Sequence, residues 1–272
     1  MNGKDEFSFY MERWGLVPDG EPIATRSGRL LPVRRGGGPA MLKIATEPEE
    51  RGGAALMLWW DGIGAARVLV QDGDAVLLER ATGSGSLTDM VRQGKDDAAS
   101  RIICDVVARL HTPRPLPPPS LIPLTDWFGA LDRAASRDGG TFARSAATAR
   151  MLLADPREVV PLHGDIHHGN VLDFGKRGWL AIDPKRLQGE RGFDYANLFC
   201  NPDQSIAQAP GRLARQAGVV ARAARLEHKR LLQWVLAWAG LSAAFLIEDG
   251  QSAHVEPALQ IAEIAADELD KG

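Results

Sequence analysis

Residues 163–170 read His-Gly-Asp-Ile-His-His-Gly-Asn, and residues 180–184, a little further along the chain, read Leu-Ala-Ile-Asp-Pro. They contain two carboxylates, Asp165 and Asp183, and the amide of Asn170 lies between them in the chain; Asn170 and Asp183 are the candidate oxygen ligands. A magnesium ion prefers oxygen ligands and keeps some of its waters, so an amide oxygen and a carboxylate suit it. Phosphoryl transfer needs mainly positioning and charge neutralisation from a protein. The spacing therefore predicts that Asp165 accepts the proton of an attacking hydroxyl while Asn170 and Asp183 hold Mg²⁺ on ATP.

The residues around these polar positions are apolar. Val171-Leu172 and Leu180-Ala-Ile182 have the composition of two short buried strands, and the turn Lys176-Arg-Gly178 separates them. A hairpin of this kind would bring Asn170 and Asp183 to one rim. The ordered set of His, Asp, Asn, hairpin and Asp is therefore a more specific signal than His-x-Asp alone.

Two other interpretations of the loop stay open. His163, His167 and His168 could ligate zinc, because the first two would share one face of a helix. Gly164 and Gly169 interrupt such a helix, however, and the chain has no His-Glu-x-x-His sequence. The second alternative is a glycine-rich surface turn whose polar side chains contact only solvent.

Composition narrows the class of protein. The 272 residues carry a formal net charge of −3, so no basic excess indicates nucleic acid as a partner. Two cysteines, Cys104 and Cys200, do not make a disulfide framework and fit a reducing cytoplasm. Residues 1–7 lack the apolar core of a signal peptide, and the apolar stretch 234–247 is short for a bilayer span and is expected to be a buried helix. We therefore expect a cytoplasmic protein without a nucleic-acid or membrane partner. A monomer is expected, although composition does not determine the oligomeric state.

The pattern of apolar residues changes near residue 80. Residues 1–80 read as a small nucleotide-binding lobe of short β-strands, with one helix from about 47 to 60. Residues 81–272 read as a larger, mainly helical lobe for catalysis and substrate binding, and residues 79–86 contain the hinge. The expected fold class is α+β and bilobal. The expected strands are 30–33, 40–44, 66–70 and 75–78, and the expected helices are 97–111, 125–137, 142–154, 194–199, 210–224, 227–248 and 255–269.

Lys43 lies among apolar residues in the expected strand 40–44. A buried ammonium group needs an anion, and the natural ones are the phosphates of ATP and a helix carboxylate, for which Glu50 is the candidate. The alternative places Lys43 on the solvent face of an alternating strand. Ser27, in the turn 25–29, is a candidate phosphate ligand, although a plain hairpin turn fits the same residues.

These residues together resemble the aminoglycoside phosphotransferase family, which has a protein-kinase-like fold. Segments 162–170 and 177–184 are similar to the streptomycin 6-phosphotransferase branch, whose members are often described as aminoglycoside/hydroxyurea antibiotic resistance kinases. Segments 59–69 and 241–244 also look like this branch. The resemblance implies a bilobal kinase-like fold and an O-phosphotransferase that uses ATP and Mg²⁺ on a small hydroxylated molecule.

The resemblance also implies roles for individual residues. Asp165 matches the catalytic base, Asn170 and Asp183 match the magnesium ligands, and Lys43 with Glu50 matches the ion pair that positions the phosphates.

Further residues have supporting roles by the same resemblance. The hinge backbone at Glu79 and Ala81 would contact the edge of adenine. His163 and Asp194 would support the catalytic loop, and Asp194 could be a helix N-cap as well as, or in place of, that support. The metal motif is Ile-Asp-Pro rather than Asp-Phe-Gly, and about ten residues separate Asp183 from the next expected helix. That leaves no room for a phosphorylated activation loop, which argues against a protein substrate.

The acceptor is less well determined by the sequence. Streptomycin carries two guanidinium groups, so a streptomycin pocket is expected to be acidic, with Glu190, Glu248 and Asp249 as candidate contacts. The alternative is a solvated acidic helix surface. Hydroxyurea or another small alcohol is an alternative acceptor, and a non-catalytic nucleotide-binding or drug-binding module is an alternative function.

Overall fold

The computed structural model describes residues 3–25, 28–46 and 48–271, and the side chains of residues 3–6 and 48–51 lie outside that description. The strands are β1 (Leu16–Pro18), β2 (Ile23–Ala24), β3 (Gly28–Arg35), β4 (Gly38–Ala45), β5 (Val68–Asp72), β6 (Ala75–Glu79), β7 (Ile122–Pro123), β8 (Val159–Leu162), β9 (Val171–Asp173), β10 (Trp179–Ala181) and β11 (Leu187–Glu190). The α-helices are α1 (Gly3–Trp14), α2 (Pro48–Trp60), α3 (Leu87–Arg92), α4 (Asp96–Leu110), α5 (Leu124–Trp127), α6 (Gly129–Asp138), α7 (Gly140–Ala154), α8 (Gln204–Ala207), α9 (Arg212–Ala224), α10 (His228–Glu248) and α11 (Val255–Lys271). Short 3-10 helices lie at Gly175–Arg177, Arg191–Cys200 and Ser252–His254.

The small lobe is an antiparallel sheet in the order β1-β3-β4-β6-β5, with β2 paired to β3. Alternate residues of its strands, including Leu31, Val33, Leu42 and Leu77, point to one buried face. Phe7 of α1 covers that face and completes a small separate core. The four strands and the helix expected in this part of the chain are confirmed.

Helix α1 and strands β1 and β2 were not anticipated from the sequence. Phe7, Tyr10, Met11 and Trp14 recur at steps of three and four residues, and all of them pack against the sheet. This helical period was therefore a usable signal for α1. Strands of two or three residues, by contrast, are too short for an alternating pattern to emerge.

The large lobe is built around α10, which packs against α7, α11 and the 3-10 helix Arg191–Cys200. Trp234 and Leu241 of α10 are almost fully buried, as expected for a core stripe. By length and composition α10 could also cross a membrane, but 61% of its most apolar window is buried inside the protein. Such burial is typical of a core helix.

Helix α2 belongs to the core of the large lobe, although it precedes residue 80 in the chain. Leu56 and Trp60 of α2 lie in the same hydrophobic cluster as Val107 and Leu110 of α4. The indole nitrogen of Trp60 also donates to the carbonyl oxygen of Leu110, at 3.1 Å. The cleft between the lobes is therefore bounded by a helix that is anchored to the large lobe.

Most of the expected helices of the large lobe are present, with three differences. The expected helix 125–137 is divided at Phe128 into α5 and α6, and the expected helix 194–199 is the 3-10 helix Arg191–Cys200. The sequence reasoning missed α3, α8 and the three-stranded sheet β7-β11-β8, whose strands have two to four residues. Elements this short carry too few residues for a period to be recognised.

The expected hairpin is formed by β9 and β10. Val171 pairs with Ala181, Asp173 pairs with Trp179, and the 3-10 turn Gly175–Arg177 joins the strands. The amide of Ile182 donates to the carbonyl oxygen of Asn170, at 2.9 Å. This register brings the residues that precede β9 and follow β10 to one rim, as predicted.

Candidate active site

The catalytic loop 163–170 runs from β8 to β9 and is stabilised from below by Asp194. The Asp194 carboxylate accepts from the amide of His163 at 2.9 Å and from the amide of Gly164 at 2.7 Å. Asp194 is 1% exposed and also contacts the ring nitrogen Nε2 of His111 at 2.8 Å. Its side chain therefore supports the loop, as the resemblance implies, and the N-cap alternative is wrong because Asp194 lies inside its 3-10 helix.

His163 supports the loop from within. Its Nδ1 accepts from the amide of Asp165 at 3.2 Å, so its Nε2 carries the proton and donates to the carbonyl oxygen of Ile182 at 2.8 Å. Burial lowers the pKa of His163 and keeps the ring neutral. One imidazole therefore joins the catalytic loop to the strand end that precedes Asp183.

Asp165 is half-buried, and both of its carboxylate oxygens accept from side-chain amides. Oδ1 accepts from Nδ2 of Asn197 at 2.8 Å, and Oδ2 accepts from Nδ2 of Asn170 at 3.2 Å. The same Asn170 amide also donates to the main-chain oxygen of Asp165 at 2.9 Å. The sequence reasoning missed Asn197, because an asparagine inside an expected helix carries no motif.

Lys43 meets Asp183 across the cleft. Nζ of Lys43 lies 2.8 Å from Oδ1 of Asp183, and Lys43 is 5% exposed in β4. The alternative that placed Lys43 on the solvent face is therefore wrong. Asp183 itself has a φ of 60°, a conformation that aspartate tolerates better than most residues. The side chain of Glu50 lies outside the described residues, so the Lys43–Glu50 pair stays a prediction.

The chemistry of the predicted metal ligands fits magnesium. Nδ2 of Asn170 is directed at Asp165, so the predicted metal-ligating atom of this side chain is its amide oxygen. Asp183 contributes a charged oxygen close to the ammonium of Lys43. One carboxylate and one amide oxygen are the usual protein share of a magnesium site completed by phosphates and water.

Zinc has no comparable set of ligands. Within the described ranges, no group of three or more His, Cys, Asp or Glu side chains converges on one point. Nδ1 of His163 accepts from the amide of Asp165 and its Nε2 donates to Ile182, while Nδ1 of His167 accepts from the amide of Gly169 at 3.0 Å. His168 is buried, and desolvation lowers its pKa to about 4. The three imidazole rings therefore occupy separate environments and do not converge on one metal ion.

The predicted hinge is held against the catalytic hairpin. The amide of Gly83 donates to the main-chain oxygen of Asp173 at 2.9 Å, and the amide of Gly85 donates to its carboxylate at 3.0 Å. The carboxylate of Glu79 accepts hydrogen bonds from the side chain of Arg177 and from the amide of Arg67.

The Glu79 carboxylate is therefore occupied by protein partners, and the expected contacts of Glu79 and of the half-buried Ala81 with adenine are contacts of the backbone. Those contacts stay predictions. Ser27 lies outside the described residues, so its expected phosphate contact does too.

Glu190 was expected to contact substrate, and the structure contradicts this. Its carboxylate accepts from Arg230 at 2.6 and 2.8 Å, from the indole nitrogen of Trp234 at 2.8 Å and from the amide of Arg157 at 2.9 Å. Desolvation alone would raise the pKa of Glu190, but the hydrogen bonds from Arg230, the Arg157 amide and Trp234 hold it below its usual value. Glu190 is 4% exposed, so it stabilises the interior of the large lobe.

The other two candidate substrate carboxylates lie on the surface at the end of α10. Glu248 accepts from Nη2 of Arg133 at 2.7 Å, and Asp249 is the exposed residue that follows the helix. A cavity beside Asp165 is lined by Asn197, and neither Glu248 nor Asp249 is among its lining residues.

That cavity has a volume of about 230 Å³ and lies between the 3-10 helix Arg191–Cys200, α8, α10 and α11. The indole of Trp238 forms part of its wall, whereas Trp234 is bound to Glu190 instead. No carboxylate occurs among the described residues that line it, so the expected acidic pocket is not found here. Its polar lining residues are Asn197, Asn201, Gln204, Gln208, Ser242 and His254.

Comparison with known proteins identifies related sequences over most of the chain. The family model for aminoglycoside/hydroxyurea antibiotic resistance kinases matches residues 13–250. The chain is 53% identical to the streptomycin 3''-kinase of Klebsiella pneumoniae, over 93% of this chain and 96% of that protein. It is 33% identical to the streptomycin 6-kinase of Streptomyces glaucescens (91% and 84% covered) and 31% identical to the hydroxyurea phosphotransferase of Kitasatospora aureofaciens (94% and 76% covered).

Solved structures share the fold at low sequence identity. The aminoglycoside phosphotransferase APH(4)-Ia, in a ternary complex with ADP and hygromycin B, superimposes with a TM-score of 0.70 at 14% identity, covering 95% of this chain and 96% of that one. APH(3'')-Id from Streptomyces rimosus, in complex with ADP and streptomycin, gives a TM-score of 0.61 at 18% identity, covering 89% and 99%. The bilobal protein-kinase-like fold expected from the sequence is confirmed.

Proposed function

The chain belongs to the aminoglycoside/hydroxyurea antibiotic resistance kinase family, and from that premise we propose that it transfers the γ-phosphate of ATP to a hydroxyl group of streptomycin. The observation that carries this proposal is the convergence of Asp165, Asn170, Asp183 and Lys43 in one cleft. Each of these side chains has the chemistry that phosphoryl transfer to an alcohol requires. Phosphorylation would inactivate the drug.

The hydroxyl proposed to react is the 3'' hydroxyl rather than the 6 hydroxyl. The identity to a streptomycin 3''-kinase is 53%, against 33% and 31% for two streptomycin 6-kinases. The lining of the cavity supports the same choice. The 3'' position belongs to a sugar ring that carries neither guanidinium group, and amide and hydroxyl side chains can donate to and accept from sugar hydroxyls.

The residues divide the chemical step between them. Asp165 accepts the proton of the acceptor hydroxyl as its oxygen bonds to the γ-phosphorus, and the bond from that phosphorus to the leaving oxygen of ADP breaks. The ammonium group of Lys43 contacts Asp183 in the structure. When the nucleotide binds, the same ammonium group would contact the phosphate oxygens instead. Asn170 and Asp183 are proposed to hold Mg²⁺, which when bound neutralises charge on the phosphates. The hinge backbone is proposed to bind adenine.

The cavity beside Asn197 is the proposed acceptor pocket. It adjoins the base, because Asn197 both lines it and donates to Asp165. Trp238 offers an apolar face to the carbon skeleton of a sugar ring, while the surrounding amides offer hydrogen bonds. Its volume accommodates one ring of the substrate, so the guanidinium-bearing ring would extend toward the cleft opening.

The proposal is tested by incubating the protein with ATP, magnesium and streptomycin. The expected product carries one additional phosphate by mass spectrometry, and phosphorus–proton coupling by NMR places it on the 3'' oxygen. Phosphate at the 6 position would reject the choice of hydroxyl but keep the enzyme class. Absence of phosphorylated streptomycin, from a preparation that binds ATP, would reject the substrate.

Hydroxyurea is the second candidate acceptor, because the chain is 31% identical to a hydroxyurea phosphotransferase. It is the weaker candidate, since a molecule so small would leave most of the 230 Å³ cavity empty. Including hydroxyurea and other aminoglycosides in the same assay decides between the acceptors. The proposal also includes a monomeric protein in the cytoplasm, where ATP is available and the free thiols of Cys104 and Cys200 stay reduced.

A further inference from the structure

A chain of two side-chain amides leads from the cavity wall to the catalytic base. Nδ2 of Asn201 donates to the side-chain oxygen of Asn197 at 2.8 Å and to its main-chain oxygen at 3.0 Å. Nδ2 of Asn197 in turn donates to Oδ1 of Asp165 at 2.8 Å. The donors therefore run in one direction, from Asn201 to Asn197 and from Asn197 to the carboxylate, and both asparagines also line the cavity.

We propose that Asn197 and Asn201 are positioning residues that set the orientation of the Asp165 carboxylate and make it depend on what occupies the cavity. This inference rests on the proposed function, since it assigns the base and the acceptor pocket the same roles. It adds two residues that no motif of the sequence indicates.

The orientation of Asp165 needs a second fixed donor. Asn170 holds one carboxylate oxygen, at 3.2 Å, but it also has to present its own oxygen to a metal. A carboxylate with a single donor can rotate about its last torsion angle, which is broad for aspartate. Asn197 restricts this rotation, because its Nδ2 donates to the other carboxylate oxygen at the shorter distance of 2.8 Å. The carboxylate plane is then defined by donors from two separate parts of the chain.

Asn201 fixes the orientation of the side-chain amide of Asn197. An asparagine side chain could present either its oxygen or its nitrogen to Asp165, and only the nitrogen is attractive to a carboxylate. The donor of Asn201 occupies the oxygen of Asn197 and so fixes the nitrogen toward the base. Asn197 is 4% exposed, so an incorrectly oriented amide would also lack compensation from water.

The position of Asn201 provides the connection to the acceptor. Its side chain is half-buried at the cavity wall, where hydroxyl groups of a bound sugar could contact it. An acceptor that competes for the Nδ2 donor of Asn201 would release Asn197, whereas one that binds its oxygen would strengthen the chain. Acceptors of the second kind would therefore be phosphorylated faster at saturation.

The first test compares three variants by steady-state kinetics. Asn197→Ala is expected to lower kcat by about ten- to a hundredfold, the range expected for small misplacements of reacting groups, while the KM for ATP stays unchanged. Asn201→Ala is expected to lower kcat less and to raise the KM for the acceptor. The matched control is Gln216→Ala, because Gln216 is a buried amide that also donates to a carboxylate, that of Asp97, at 2.8 Å. This control should lower the melting temperature and leave kcat unchanged.

A conservative variant separates positioning from simple packing. Asn197→Asp preserves the shape of the side chain but puts an oxygen in place of the Nδ2 donor that lies 2.8 Å from Oδ1 of Asp165. Packing is therefore retained while the attraction to the carboxylate is lost, so kcat should fall at least as far as in Asn197→Ala. An Asn197→Asp or an Asn197→Ala variant with the kcat of wild type would overturn the proposal.

A crystal structure of Asn197→Ala decides the question without reference to any acceptor. A rotated or doubly occupied Asp165 carboxylate supports the proposal, and a carboxylate in the wild-type orientation overturns it. If the wild-type protein does not phosphorylate streptomycin, only the substrate assignment fails. The orientation of Asp165 in the variant still tests the amide chain in that case.

Discussion

The two sides of the cleft are constructed in different ways. The phosphate side contains Lys43, Asn170 and Asp183 with the hinge and hairpin beside them, and the acceptor side is the cavity beside Asn197. On the phosphate side, the main chain of glycine residues lies directly against atoms of distant segments. A Cβ atom placed on Gly53 of α2 would lie 2.6 Å from the carbonyl oxygen of Pro184, and one on Gly83 would lie 2.0 Å from the side-chain carboxyl carbon of Asp173. On the acceptor side, side chains of several helical segments surround a cavity of about 230 Å³.

This difference determines which residues can be substituted without disturbing the site. A side chain at Gly53 would displace the backbone that follows Asp183, and with it the predicted metal site. The wall of the proposed acceptor pocket can change one side chain at a time. Related kinases named for streptomycin and for hydroxyurea align with this chain over more than nine-tenths of its length, as this division would allow.

The largest expected effect tests the base, where the two sides meet. Asp165→Asn should lower kcat by about a hundred- to ten-thousandfold, because general base catalysis of proton transfer is lost. Magnesium-dependent ATP binding, measured by calorimetry, should be retained, since Lys43, Asn170 and Asp183 are unchanged. Turnover close to that of wild type would contradict the assignment of Asp165.

The next effect concerns Glu190, a buried carboxylate of the large lobe that does not line the acceptor cavity. Arg230→Met would leave Glu190 buried without its cation and should lower the free energy of unfolding by about 3–5 kcal/mol at pH 7. The KM for the acceptor in the folded fraction should be unchanged. Urea unfolding followed by circular dichroism measures the stability, and steady-state kinetics measures the KM.

The pH dependence of this loss has a definite sign. Because the pKa of Glu190 in the folded protein lies below its ordinary value, its ion pair contributes stability above that ordinary value and loses it as the pH falls through the folded pKa. The difference between wild type and Arg230→Met should therefore shrink in acid. Arg133→Met is the matched control, since Arg133 and Glu248 form an exposed pair that should contribute less than about 1 kcal/mol. An equal loss in both variants would mean that burial does not distinguish the two pairs.

Local sequence predicted the catalytic loop and the hairpin beside it. Asp165 and Asn170 lie in one loop, and the hairpin that brings Asp183 back is formed by residues adjacent in the chain. Asn197 and His111 could not be predicted, because their partners lie 32 and 83 residues away and neither belongs to a motif. Glu190 was assigned wrongly for a related reason. A sequence shows its charge but not that Arg230, 40 residues further on, neutralises it inside the protein.

The helix pattern predicted α2 but not the reason for its glycines. Glycine within a helix ordinarily costs stability, by about 1 kcal/mol relative to alanine. Gly52 and Gly53 are nevertheless adjacent in α2, since side chains there would overlap with Arg186 and with the backbone of Pro184. A contact between segments about 130 residues apart in the chain leaves no trace in the local pattern.

A smaller effect tests this close approach on the phosphate side. Gly53→Ala should lower the free energy of unfolding by about 1–3 kcal/mol, since the new methyl group would have to displace the Pro184 carbonyl. The KM for ATP should rise as well, because Asp183 directly precedes Pro184. Thermal melting and ATP titration provide the two measurements.

The control for this variant is Gly218→Ala in α9, where the added Cβ would make an ordinary contact of 3.5 Å with Arg222. That change should raise stability by up to about 1 kcal/mol through helix propensity. If both alanine variants were stabilised, the backbone contact between α2 and Pro184 would not constrain the phosphate side.

The smallest expected effect lies on the acceptor side, at the wall of the cavity. Trp238→Ala should raise the KM for streptomycin by about tenfold, corresponding to the loss of about 1.4 kcal/mol of contact with the indole face. The KM for ATP should stay the same, because no residue of the phosphate side is altered. Trp127→Ala is the matched control, since Trp127 packs its ring against Phe245 at 5.4 Å outside the cavity and should affect only the melting temperature. If Trp238→Ala instead raised the KM for ATP and spared the acceptor, the two sides of the cleft would not be independent, and the cavity would not be the acceptor pocket.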